Sequence, residues 1–106
     1  MSFKLSDQFP MLAAELTTLL SNSNEEELAE TISALSVVDR CRCGDSFCAM
    51  IYTAPRPEGA YGPNHRNVAL DPEKGMLILD VLDERIVGIE ILYRDEIRDR
   101  LSELMP

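Results

Sequence analysis

All three cysteines of the chain fall within one eight-residue stretch, as Cys41, Cys43 and Cys48 of CRCGDSFC. Thiols this close in sequence have three uses. They pack as small hydrophobes, since cysteine is among the most buried residue types. They hold a metal, because thiolates are preferred zinc ligands. Or two of them form a switchable redox pair. Their geometry depends on the local fold. If residues 37–43 and 47–53 are the arms of a hairpin turning at Asp45 and Ser46, then Gly44 pairs with Phe47, Cys43 with Cys48 and Cys41 with Met50. The three thiols then share one face, with cross-strand Cβ atoms ~5 Å apart. A one-residue slip would scatter them.

Three thiols supply three of the four ligands of a tetrahedral zinc site, and His65, the only histidine, would complete a Cys3His set. Against this, the spacing is C-x-C rather than the C-x2-C of zinc knuckles. The ligands would also stand on flat strands. Core packing therefore leads, with zinc and a Cys43–Cys48 pair as alternatives. Arg40 and Arg42 alternate onto the face opposite the thiols, where they would not activate a cysteine directly.

A second candidate is the loop 54–66, APRPEGAYGPNHR. Loops longer than about 12 residues often carry function. Arg56, Tyr61, His65 and Arg66 there have the chemistry to grip a carboxylate, a phosphate or a partner's backbone. The competing reading, slightly favoured, is a polar surface excursion. Glu90, alone in an apolar strand, must face water or find a cation. No nucleophile elbow, phosphate loop, dinucleotide fingerprint or metalloprotease helix occurs, so the chain does not read as an enzyme and calls for no cofactor unless zinc.

These residues need a scaffold. Phe9, Leu12, Ala13, Leu16, Leu19 and Leu20 mark one face of a helix, with Ser6 or Asp7 as cap and Pro10 in the first turn. Ser23 or Asn24 caps a second helix carrying Leu28, Ile32 and Leu35. The period then changes to two. Strands are predicted over 37–43, 47–53, 67–70, 76–82 and 85–93, and a last helix from Asp95 buries Ile97, Leu101 and Leu104. The expected fold is one α+β domain over residues 1–106: two N-terminal helices, a five-stranded antiparallel meander and a C-terminal helix.

A two-residue turn at Asp83 and Glu84 pairs Leu82 with Arg85 and Val81 with Ile86. Continued without interruption, it pairs Leu79 with Gly88, Leu77 with Glu90, Ile78 with Ile89 and Met76 with Ile91. Both faces of this hairpin are then largely apolar. That suggests either a homodimer covering the second face or a loop or helix folded over it.

The 106 residues carry 19 acidic and 10 basic side chains, for a net charge of −9. That balance disfavours nucleic acid and anionic lipid as partners and permits a basic protein. The N-terminus MSFKLSDQFP has no apolar run of an export signal, and no run is long enough to span a membrane, so a cytoplasmic location with reduced thiols is the expectation.

The segment GMLILDVLDERIVGIEIL resembles the closing hairpin of small bacterial domains of unknown function, and CRCGDSFC followed by a Pro/Gly loop is similar to a pattern in bacterial hypothetical proteins. The resemblance implies a bacterial source and a hairpin, and supplies no catalytic residues. The functional expectation is a small acidic, non-enzymatic protein-interaction module, comparable to toxin-immunity proteins in size and charge alone. The alternative is a zinc-binding or thiol-switch protein built on Cys41, Cys43 and Cys48 with His65.

Overall fold

A computed structural model of the chain describes residues 2–106. The N-terminal half is helical. A two-residue strand β1 (Phe3–Lys4) leads into α1 (Leu5–Gln8), α2 (Pro10–Asn22) and α3 (Glu26–Thr31), which tightens into a 3-10 turn at Ile32–Ala34. The single helix expected around Phe9 is two. Pro10 lacks an N–H and disfavours helical φ/ψ at the residue before it. Phe9 accordingly leaves the helix at φ −133 and ψ 62, and Pro10 opens α2. Asn24 does not cap α3. It takes a left-handed φ of 60 and turns the chain out of α2, and Glu25 occupies the cap position without a side-chain bond.

The strands are β2 (Ser36–Val37), β3 (Asp39–Arg40), β4 (Ile51–Tyr52), β5 (His65–Leu70), β6 (Met76–Leu82) and β7 (Arg85–Leu92), and α4 (Asp95–Leu104) follows. β1 and β2 make a small ribbon of their own. The other five form one antiparallel sheet in the order β3-β4-β7-β6-β5. The α+β class, the five antiparallel strands and the C-terminal helix match the sequence reading; the simple meander does not. β4 pairs with β7, and the connection over residues 53–64 carries β5 to the far edge.

The β6–β7 hairpin also departs from the uninterrupted register. Asp83 and Glu84 both take positive φ, 51 and 59, as a two-residue turn of the favoured hand requires. Leu82 pairs with Arg85 and Val81 with Ile86 as expected. Val87 is then an extra residue, and Gly88 faces Asp80, Ile89 faces Leu79, Glu90 faces Ile78, Ile91 faces Leu77 and Leu92 faces Met76. A bulge shifts every later side chain to the other face. Leu77, Leu79, Val81, Ile89 and Ile91 therefore all point inward and are fully buried. They join Leu5, Leu16, Leu20, Ile32 and Leu101 from the helices in one contiguous core. The outer face receives Asp80, Gly88 and Glu90 among its apolar residues. The outer face is therefore mixed rather than wholly apolar.

α4 is held beside the β3 edge by two arginines. Arg40 donates through Nε to the Met105 carbonyl and through Nη2 to that of Pro106 at 3.4 Å. Arg42 reaches the same Pro106 oxygen at 3.4 Å and pairs with Asp39 at 2.7 Å. Arg40 nonetheless borders the cleft that the cysteines line, contrary to the expectation that it faces away from them. The work of the two arginines is to fix the end of α4 against the strand that leads into the cysteine hairpin.

Candidate metal centre

β3 and β4 are short, but their pairing sets the geometry of the chain beyond them. Asp39 faces Tyr52 and Arg40 faces Ile51. The Cys41 N–H donates to the Met50 carbonyl at 2.9 Å, which carries the register one step further. Beyond that bond the ladder ends, and the turn has Ser46 and Phe47 at its corners rather than the expected Asp45 and Ser46. The ribbon closes through Gly44, at φ 84, and the Cys48 N–H donates to the Asp45 carbonyl at 3.2 Å. Cys48 is tied to the sheet on its other side by a bridge to Leu92.

The three thiols converge: the sulfur atoms of Cys41, Cys43 and Cys48 all lie within 4.8 Å of one another. In a tetrahedral site with Zn–S bonds of about 2.3 Å, sulfurs are about 3.8 Å apart. Rotamer adjustment of side chains at a hairpin tip covers that contraction. The leading expectation, core packing, is corrected. Cys43 is exposed, Cys41 and Cys48 are half-buried, and none belongs to the core.

The local electrostatics differ between the thiols. The Asp45 N–H beside Cys43, helped by the other two thiols, holds the Cys43 pKa below its ordinary value. Burial pushes Cys48 up to about 11. The cluster lines a cleft of about 290 Å³ whose other wall is α4, with Arg98, Asp99 and Ser102 facing it.

His65 does not join the cysteines. It begins β5, at the opposite edge of the sheet from β3, four strand spacings or roughly 19 Å away. Its Nε2 is bonded to Asp80 Oδ1 at 2.8 Å and its ring stacks on Tyr61 with centroids 4.7 Å apart. The Cys3His set is therefore corrected to the three cysteines. The long connection from β4 to β5, which the meander reading took for a local return, is what separates them.

The loop residues divide likewise. Arg56 lies over the Tyr52 ring, 4.8 Å from its centroid, and Tyr61 and His65 stack as described, so these residues dress the outer face of the sheet. Arg66 is not available to a ligand. Its guanidinium makes paired bonds to Glu25 at 2.8 and 3.0 Å and to Glu84 at 3.0 and 2.9 Å, pinning β5 to α3 and to the β6–β7 turn. Glu90 sits on the central strand β7, and Arg94, the nearest arginine in sequence, is bound to Glu15.

Sequence reasoning missed Asp80. This carboxylate is 9% exposed, and its Oδ1 accepts from both His65 and Asn67 at 2.8 Å. An acid inside the apolar run MLILDVL was the available signal, of the same kind that singled out Glu90.

No family model matches this chain, and neither the curated proteins nor the solved structures include a match to it. No helix among the described residues is long and apolar enough to cross a membrane.

Proposed function

We propose that this protein binds a soft divalent metal ion, zinc, through Cys41, Cys43 and Cys48. The observation that carries the reading is the approach of three sulfurs to within 4.8 Å at an accessible hairpin tip. Among the described residues it is the one such group of metal-ligating side chains. Three thiolates suit zinc or another thiophilic ion, and disfavour magnesium and calcium, which take oxygen. A bound ion leaves one position of a tetrahedron for water or an added ligand from the α4 cleft. The role is binding rather than catalysis, and the net charge of −9 is compatible with a basic protein partner around the same site. Ligation would also brace the hairpin, which below Cys41 has little ladder of its own.

Metal content of protein purified without chelator tests this. About one zinc per chain is expected for the native sequence. Cys43→Ser or Cys48→Ser should lose it, while His65→Ala keeps it. A zinc-free native protein that also fails to take up added zinc would overturn the reading.

A further inference from the structure

We infer that the metal site is redox-gated: a hydroperoxide converts Cys43 and Cys48 into an intramolecular disulfide, and this expels the ion. The inference deepens the metal reading, on which its release step rests.

Position selects the pair. The turn closed by the Cys48 N–H on the Asp45 carbonyl has Ser46 and Phe47 at its corners and brings Cys48 back beside the arm that carries Cys43, with their sulfurs within 4.8 Å of each other. Side-chain rotation at the exposed Cys43 closes that gap toward the roughly 2.05 Å of an S–S bond. Cys41 and Cys43 are alternate residues of one arm, about 6.6 Å apart in extended chain, at the far end of the roughly 4.4–6.8 Å that a disulfide spans.

Access selects the order of events. Cys43 is exposed, whereas Cys48 is half-buried and anchored through Asp45 and Leu92. The peroxide therefore meets Cys43 first. The Cys43 thiolate attacks one peroxide oxygen, the O–O bond breaks, and the leaving oxygen departs as water after protonation; Cys43 becomes a sulfenic acid, oxidised by two electrons. The Cys48 sulfur then attacks the Cys43 sulfur, the S–O bond breaks, a second water leaves, and the S–S bond forms. In sum, two thiols and one hydrogen peroxide give one disulfide and two waters. Cys41 is left as the only thiolate ligand, too few to retain zinc.

The test uses the whole chain in two forms. Metal-free protein is treated with equimolar hydrogen peroxide, alkylated and mapped by mass spectrometry without reduction. A Cys43–Cys48 cross-link with Cys41 alkylated is expected, and Cys41→Ser should form the same cross-link. Cys48→Ser should instead accumulate a sulfenic acid on Cys43 that dimedone captures. Zinc-loaded native protein should lose all its zinc in step with disulfide formation. A cross-link through Cys41, a cross-link between chains, or a Cys43 still alkylatable after peroxide would each overturn the proposal. Retention of zinc after the cross-link has formed would overturn the gating step. If the metal-free cross-link forms but the native protein never takes up zinc, the dithiol chemistry stands and the metal reading alone falls.

Discussion

Arg94 clasps Glu15 across 79 positions of sequence, with Nη1–Oε1 at 2.7 Å and Nη2–Oε2 at 2.6 Å. Its Nε also donates to the Lys74 carbonyl at 2.8 Å. One side chain, 8% exposed, thus ties α2, the β5–β6 turn and the start of α4 together. The clasp fixes the N-terminal end of α4, the helix that forms a wall of the cysteine cleft. Arg94→Ala strands Glu15 and the Lys74 carbonyl and should cost about 3 kcal/mol in urea denaturation, as breaking a buried pair does. Arg94→Lys should recover little, because an ammonium cannot reproduce the paired geometry. A loss near zero for the alanine variant would mean the clasp is dispensable.

The Arg66 cluster sets an acid limit on stability. Bonds from Arg66 hold the carboxyls of Glu25 and Glu84 below their ordinary value of 4.5. A carboxyl whose pKa is lower folded than unfolded stabilises the fold fully above the unfolded value, and that contribution disappears as pH falls through the folded one. Stability should therefore be level above about pH 5 and decline below pH 4.5. Arg66→Ala should flatten the acid decline and, for a cluster this exposed, change stability little at neutral pH. An unchanged acid profile in that variant would assign the decline to other carboxylates.

Asp80 positions the loop end of the outer face. Asp80→Ala leaves the His65 and Asn67 donors without their acceptor and should destabilise by roughly 1–3 kcal/mol. The His65–Tyr61 stack should loosen with it, so proteolysis within residues 53–64 should accelerate. Asp80→Asn, which keeps one acceptor oxygen, should fall between the two. Equal cleavage rates for all three proteins would show that the loop is held by something else.

How much of this was legible in the sequence depends on the scale of the signal. The 3.6-residue spacing of Leu12, Leu16 and Leu20 fixes the buried face of α2, and all three are buried. The convergence of the thiols was legible because any turn of the same parity keeps all three on one face, although the turn has Ser46 and Phe47 at its corners and not Asp45 and Ser46. Strand order was not legible. Short connections force neighbours to pair, but a twelve-residue excursion over 53–64 reaches either edge of the sheet. That single ambiguity misplaced His65. The bulge at Val87 was equally hidden: IVGIEIL is apolar on both parities except at Glu90, so nothing in it marks an extra residue. Arg66 looked like a ligand-binding residue because its partners, Glu25 and Glu84, lie 41 and 18 positions away.

The three-cysteine centre is tested most directly by titrating the reduced, metal-free chain with Co²⁺ and recording its absorption spectrum. Intense sulfur-to-cobalt charge-transfer bands with tetrahedral d–d bands, saturating at one ion per chain, are predicted for the native protein and for His65→Ala alike. Cys41→Ser, Cys43→Ser and Cys48→Ser should each weaken or abolish them. A native spectrum without sulfur-to-cobalt bands, or a spectrum that survives loss of any one thiol but vanishes with His65→Ala, would contradict the account.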